Sequence, residues 1–440
     1  MFTEPYKRYV LGILTLVYTL NYVDRGLIIL LLEPIKNDLM LSDTQLGFLT
    51  GIAFGLFYAT LGLPIARWAD RGNRVTITSI AIGSWGVTVM LCVFVQNFTG
   101  LVLARIAAAI GESGCMPPTY SLLGDYFHSA RERARAMTTY SLAGPLASLL
   151  SYTAGGWLNE HLGWRMTFFA MGLPGLLLAV AVRATVVEPR VNYGSEGTSV
   201  GRSQMRSVLQ TLWRQPSTRH LSLALILLFT MGMGLGPWYA AFMMRNHGVG
   251  TVELGVWFGA IFGLGGIAGI WSGGYVASRW FAEDERAQLR LSALVVLSLV
   301  PCFVLFLLAP GKTLALLALV PLVMAFGAFL GPTYALMQRL VVSDSRATTL
   351  AVVMLIANLI GMGIGPQVVG VLSDALKPAF GSESLRYAML GMSFIAIWAA
   401  SHYWRAGQTV RLDLLAAASE DILVNKSAQV THASYVVPHD

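Results

Sequence analysis

Charge is what this sequence has least of. Only 12% of its 440 residues are Asp, Glu, Lys or Arg, about half the share found in soluble domains, while 55% are apolar. A water-soluble fold cannot cover so much apolar surface, which excludes a soluble enzyme or a soluble binding module. Cysteine is nearly absent. Cys92, Cys115 and Cys302 all lie in apolar stretches without metal-ligand spacing, which excludes a disulfide framework and leaves packing as their role. The seven histidines and the scarce acids do not cluster at ligand spacing, and no Ser, His, Asp set falls on facing positions. No metal, no cofactor and no enzymatic activity are expected.

What the chain has instead is a succession of apolar runs of about 20 residues, each long enough to cross about 30 Å of hydrocarbon as a helix. Twelve can be counted, at 9–34, 43–67, 75–96, 98–125, 135–159 and 164–187, then 217–245, 251–278, 289–309, 313–340, 345–374 and 384–404. The expected fold is an all-α membrane protein with twelve transmembrane helices. The first run has no small-residue cleavage site after it and is too long for a signal-peptide core, so it is expected to stay as an anchor. Residues 1–187 and 217–404 form two six-helix bundles. A polar linker at 188–216 joins them, and a polar, loose tail follows at 405–440.

Orientation follows from the 30 Lys and Arg residues, since basic charge near helix ends stays in the cytoplasm. With Lys7 and Arg8 inside, twenty-two fall on that side and six on the other, namely Lys36, Arg165, Arg245, Lys312, Lys377 and Arg386; Arg25 and Arg105 lie within the membrane. Both termini are expected in the cytoplasm of a cell whose inner membrane holds a monomer. The pI of about 9.4 reflects this bias and not a nucleic-acid partner.

The sequence repeats itself. Leu46, Gly47, Gly51, Phe54, Gly55, Leu56, Ala69 and Arg71 match Leu254, Gly255, Gly259, Phe262, Gly263, Leu264, Ala277 and Arg279 at a constant offset of 208. Pro118-Thr119-Tyr120 matches Pro332-Thr333-Tyr334, and Gly156–Glu160 parallels Gly370–Asp374, both at an offset of 214. Such a parallel repeat suits two bundles rocking about a site near the bilayer midplane. The stretch Ala66-Arg67-Trp68-Ala69-Asp70-Arg71-Gly72-Asn73-Arg74 resembles the G-x-L-A-D-R-x-G-R signature of the major facilitator superfamily, with Ala66 and Asn73 in place of its glycines and Trp68 in place of its leucine. Asn21-Tyr22-Val23-Asp24-Arg25, Arg105 with Gly111-Glu112-Ser113-Gly114, and Pro117-Pro118-Thr119-Tyr120-Ser121-Leu122 together resemble the bacterial branch of the spinster family. That resemblance implies proton-linked or facilitated movement of lysophospholipids or sphingolipids.

An ionised side chain in hydrocarbon costs several kcal/mol unless paired or hydrated, so it is a functional candidate by default. Asp24, Arg25, Arg105 and Glu112 qualify. Glu112 follows Arg105 by seven residues and so lies on the same helix face, about two turns nearer the cytoplasm. An acid whose cationic partner moves away changes its proton affinity, which is what a proton-coupled carrier needs; the same four charges also fit a static network joining the first and fourth helices. In the cytoplasmic loops, Asp70 is expected to hold Arg133, Arg135 or the start of the eleventh helix, while Asp125 and Glu132 receive Arg71 and Arg74, together forming a gate.

The second half has no acid or base at membrane depth. Its polar candidates are Asn358, Gln367, Gln338 and Tyr239 beside Trp238, the last with a lipid-facing alternative. Tyr22, Tyr120, Tyr239 and Asn358 are candidate cavity-lining residues. A half-charged, half-apolar cavity suits an amphiphile whose anionic head meets Arg25 and Arg105. Proton-coupled symport of small organic anions and export of amphiphilic drugs are the alternatives. A channel would need a continuous polar lining, and a sensor usually carries an extra soluble domain. Gly361-x-Gly363-x-Gly365 has no strand before it and is read as a close helix approach rather than a dinucleotide loop. Gly144-Pro145 is read as the matching bend in the first half.

Overall fold

Hydrocarbon offers no partner for a backbone N–H or C=O, so an apolar run in a bilayer satisfies its own backbone by becoming helix. The computed structural model describes residues 2–189, 212–281, 283–342 and 346–434. The side chains of Leu63, Ala66, Asp70, Ala130, Ala347, Glu420 and 422–434 lie outside the described set. Among the described residues there is no strand.

Ten helical stretches are long and apolar enough to cross a membrane, and two of them are double. Arg131–Thr185 turns back at Gly163 (φ 75°), and Thr348–Ser419 turns back near Gly381 (φ 54°). Splitting those two gives the twelve crossings expected from the sequence. Both termini therefore lie on one face of the protein, called here the termini face, with the far face opposite.

The first crossing is an unbroken helix, Glu4–Leu39. The second is Asp43–Thr50 and Ile52–Arg71, jointed at Gly51, and the third is Arg74–Leu91. The fourth breaks between Phe98–Ser113 and Met116–Tyr126, one residue after Glu112. The fifth begins at Ala130, where Ser129 caps the Glu132 amide at 3.2 Å. It breaks at Leu142, next to the expected Gly144-Pro145 bend, before Ala143–Thr185 carries it on to the Gly163 turn and then forms the sixth. In the second half the seventh crossing is Pro216–Leu235 with Trp238–His247. The eighth contains a π-helical turn, Ile261–Gly265, between Thr251–Ala260 and Gly266–Trp280. Glu285–Leu308, then Lys312–Ala328 with Leu330–Arg339, form the ninth and tenth. Arg346–Phe380 is the eleventh. The last, Ser384–Ser393 and Ile395–Ser434, runs as helix far beyond residue 404, so the loose tail expected from 405 is a helical extension as far as Ser434.

One apolar core runs through both halves, around Trp85, Tyr126, Tyr140 and Phe168 in the first and Trp238, Phe303, Phe306 and Tyr403 in the second. The halves meet along two seams, the second crossing against the eleventh and the fifth against the eighth. Both seams need glycine for their closeness. A Cβ on Gly156 would stand 2.3 Å from the Thr251 carbonyl oxygen, and one on Gly370 would stand 2.3 Å from that of Asp43. Gly156 and Gly370 differ by 214 and Asp43 and Thr251 by 208, so the sequence repeat and the seam geometry are the same relation. Gly361 and Gly365 likewise bring the eleventh crossing onto the backbone of the seventh, at Phe229 and at Thr230 and Gly234, as the glycine-rich run led us to expect.

Candidate functional site

Asp24 and Arg25 are neighbours on the first crossing, and their side chains take different partners on the fourth. Arg105 Nη1 donates to Asp24 Oδ2. Arg25 Nε donates to Glu112 Oε1 at 2.5 Å. The two bonds cross-brace the helices at two levels, because Arg105 and Glu112 are seven residues apart on one face. Asp24, Arg105 and Glu112 are buried and Arg25 nearly so. Several polar atoms of this site have no protein partner: Arg25 Nη2, Arg105 Nε, Glu112 Oε2 and both amide atoms of Asn21. The site therefore retains donors and acceptors that the protein itself does not use.

Aromatic faces surround the cations. The Arg25 guanidinium lies 4.4 Å from the Tyr22 ring centre, 4.7 Å from Tyr58 and 5.3 Å from Phe54. Arg105 lies 4.8 Å from the same Phe54 ring. Each such contact is worth about 0.5–2 kcal/mol, and Phe54 of the second crossing joins both arginines. Sequence reasoning missed Tyr58 and Phe54 as site residues, although Phe54 already stood in the repeat. Tyr22 packs edge-on against Tyr18, which stacks on Tyr140; Tyr120 meets Tyr140 edge-on and is itself exposed.

In the second half Asn358 is partly exposed, and its amide donates to the Met354 carbonyl of its own helix at 2.8 Å. Two expectations fail there. Tyr239 does not line an open cavity: it is buried in an aromatic cluster with Phe262, Phe303 and Phe306. Trp238 is not lipid-facing but fully buried, with its indole N–H on the Pro366 carbonyl at 3.3 Å. A buried indole needs such a partner, and the seventh and eleventh crossings supply it where they approach.

Comparison with known proteins places this geometry. The Major Facilitator Superfamily model matches residues 14–366. The chain belongs to the major facilitator superfamily. It is 35% identical over 406 residues, 92% of this chain and 93% of the relative, to an MFS-type efflux pump of Mycolicibacterium smegmatis. It is 24% identical over 413 residues, 88% of this chain and 81% of the relative, to a sphingosine-1-phosphate transporter of Danio rerio. Among solved structures it resembles a bacterial homologue of the human lysosomal transporter spinster in an inward-facing, unoccupied conformation, with 31% identity, a TM-score of 0.83, and coverage of 94% of this chain and 99% of that one. The protein is a multi-pass membrane transporter of this superfamily, resembling its bacterial spinster branch, and not an enzyme.

The superfamily signature between the second and third crossings sits on the termini face. Asp70 falls at the end of its helix, but its side chain lies outside the described set, as do residues 343–345 before the eleventh crossing. Arg74 is fully buried. Its backbone N–H and Nε donate to Glu188 at 2.7 and 3.0 Å, Nη2 also reaches Glu188, Nη1 meets Ser121 at 2.8 Å, and Asp125 is 2.7 Å away. The expected Arg74–Asp125 pair is present, and Glu188 is the partner that sequence reading missed. Glu132 stands 3.8 Å from Lys7 rather than beside an arginine of the signature. Arg133 donates to the Phe127 and Gly124 carbonyls, while Arg71 and Arg135 are exposed. All these bonds stay within the first half and the first residue of the linker.

On the far face the bonds do cross between halves. Arg245 of the seventh crossing grips Asp43 with two bonds of 2.8 Å and Glu33 with one of 2.7 Å. Lys36 Nζ and Ser373 Oγ also donate to Asp43, at 2.5 and 2.6 Å. Asp374 accepts the backbone N–H groups of Asp43 and Thr44 at 3.2 and 2.7 Å. Sequence reading counted Lys36 and Arg245 only as charges on that side. The available signal was the Gly156–Glu160 and Gly370–Asp374 repeat, whose acids both face the opposite half.

Proposed function

We infer that this transporter is a secondary carrier that works by alternating access, open here toward the termini face. The distribution of Lys and Arg assigns that face to the cytoplasm of a cell whose inner membrane holds the protein. Residues 1–187 and 217–404 are the rocking bundles, and 188–216 is their connection. The cargo is an amphiphile with an anionic head, of lysophospholipid or sphingolipid type, and protons drive it through Glu112.

The observation that carries this reading is that, among the described residues, paired charge at membrane depth is confined to the first half. Arg25 and Arg105 are held beside two acids and faced by aromatic rings, whereas the second half opposes them with Asn358 and an aromatic, apolar core. A cationic pair matches a phosphate or carboxylate head, and the uncharged half suits an acyl chain. The inward-facing spinster homologue and the sphingosine-1-phosphate transporter among the relatives support the same reading. The efflux pump among them favours a second one, export of amphiphilic drugs.

Uptake into proteoliposomes tests this directly. The panel comprises lysophospholipids, sphingosine-like lipids, organic acids and amphiphilic cations, with and without a pH gradient. Gradient-stimulated movement of the lysolipids is expected. Transport of organic acids with no binding of lysolipid would overturn the cargo class. Protection of cysteines introduced at Ser203 and Ser427 from an impermeant reagent outside intact cells tests the orientation.

A further inference from the structure

The far-face seams are related by the sequence repeat, yet their chemistry differs. At the head of the second crossing stands Asp43, a buried anion held by Arg245, Lys36 and Ser373, with Asp374 of the other half on the backbone beside it. At the head of the eighth, 208 residues later, stands Thr251. Its hydroxyl is within reach of Glu160 Oε2 at 2.9 Å and the Gly156 carbonyl at 3.2 Å, and it accepts from Asn159 Nδ2 at 3.2 Å. One hydroxyl proton serves two acceptors, so only one of those bonds forms at a time. Glu160 and Asp374 are repeat partners, but Asp374 accepts two backbone N–H groups at the edge of a charged cluster and Glu160 meets a single neutral hydroxyl.

We propose that the two seams have different duties: the seam of the second and eleventh crossings, where Asp43 is also gripped by Arg245 of the seventh, is the hinge, and Thr251–Glu160, between the fifth and eighth, is the latch that parts first when the far face opens. Separating Asp43 from Arg245 strands opposite charges in a buried place, whereas separating Thr251 from Glu160 loses a neutral donor to an acid that water readily serves. Two further features lie on the latch side. A cavity of about 360 Å³ opens on it, lined by Asn37, Asn159, Glu160 and Thr251 and extending to the Glu33–Arg245 pair, so there is room for water beside the bond that has to break. Below Thr251 the eighth crossing carries the π-turn Ile261–Gly265, a local departure from α geometry that often marks where a helix bends in function. The second crossing has a joint at Gly51, but there Asp43 is tied from three helices.

This inference rests on alternating access, and on neither the lipid nor the proton reading. The test places spin-label pairs on the full chain in nanodiscs: His161 with Val256 across the latch seam, and Met40 with Lys377 across the hinge seam. Thr251→Val removes the hydroxyl at nearly constant volume and is expected to enrich long His161–Val256 distances by up to about tenfold, the worth of one net hydrogen bond, while Met40–Lys377 stays short. Thr251→Ser restores the hydroxyl and is expected to restore the closed distribution, which separates loss of the bond from damage to the fold. Asp43→Asn is expected to lengthen both pairs. Equal lengthening of both pairs in Thr251→Val, or lengthening of Met40–Lys377 alone, overturns the assignment. If neither pair moves in any variant, the far face does not open and alternating access itself falls with it.

Discussion

Met40 and Gly248, 208 residues apart, end the first and seventh crossings with the same left-handed backbone, at φ 52° and φ 62°. Glycine is at ease there, whereas a side chain in that region costs about 1–2 kcal/mol. Met40 is exposed, so its side chain gives little in return. Met40→Gly should therefore stabilise the protein by up to about 1 kcal/mol, after allowing for the extra freedom of glycine in the unfolded chain, and Gly248→Ala should destabilise it by about as much. Thermal unfolding in detergent reads both as opposite shifts of about 2 °C. Shifts of the same sign would show that the turns are not equivalent.

How far the sequence discloses this molecule depends on the range of the interaction. Crossings are local: each apolar run carries its own reason to be helical, and all twelve stand close to where the runs put them. The repeat was legible too, but Gly156 and Gly370 gave no hint that each lies against the first residue of a helix in the opposite half. Periodicity shows which side of a helix is apolar and never which helix it meets. Trp238 read equally well as a lipid anchor until its indole was seen on Pro366, and Tyr239 as cavity lining until three phenylalanines surrounded it. Asp24, Arg25, Arg105 and Glu112 stood out because charge at membrane depth is rare; Lys36, Asp43 and Arg245 did not, because charge at a helix end is ordinary. The extension of the last helix beyond 404 went unseen because a polar helix outside the hydrocarbon leaves no hydropathy signal.

Gly156 and Gly370 should respond alike to a methyl group. With a backbone oxygen 2.3 Å from where the Cβ would be, Gly156→Ala and Gly370→Ala each force their seam apart, at a cost of about 1–3 kcal/mol in the closed state. Hydrogen exchange should quicken over 250–256 in the first variant and over 42–48 in the second. Unchanged exchange in both would mean that the seams are looser than the structure makes them.

Arg74 is a test of structure rather than transport. It is fully buried among Glu188, Asp125 and Ser121, so Arg74→Ala removes several charge-assisted hydrogen bonds at once and should destabilise the first half by about 1–3 kcal/mol. Glu188→Gln keeps an acceptor for the guanidinium and should lose less. Comparable thermal stability of Arg74→Ala and the parent would show that the cluster contributes little, leaving gating as the only reason for its charges.

The central charges make the sharpest claim about coupling. Glu112 holds Arg25 through one oxygen while the other has no protein partner, so a proton arriving at that free oxygen weakens the hold on Arg25 without having to displace another residue. Asp24 is bound instead to Arg105, the cation whose spare donor, Nε, is available for a head group. Glu112→Gln keeps a carbonyl acceptor for Arg25 but cannot gain or lose a proton, so it should abolish stimulation by a pH gradient and retain cargo binding. Arg105→Ala removes a charged donor and should weaken binding of an anionic head by roughly 10- to 100-fold, the worth of a charge-assisted bond. Asp24→Asn leaves Arg105 in place but slackens its position, and an intermediate loss is expected. Equilibrium binding and gradient-driven uptake measured on the same three variants separate these roles. Full gradient-driven uptake by Glu112→Gln would remove Glu112 as the proton site, and an identical pH profile in all three variants would leave a uniporter whose four charges only brace the first crossing against the fourth.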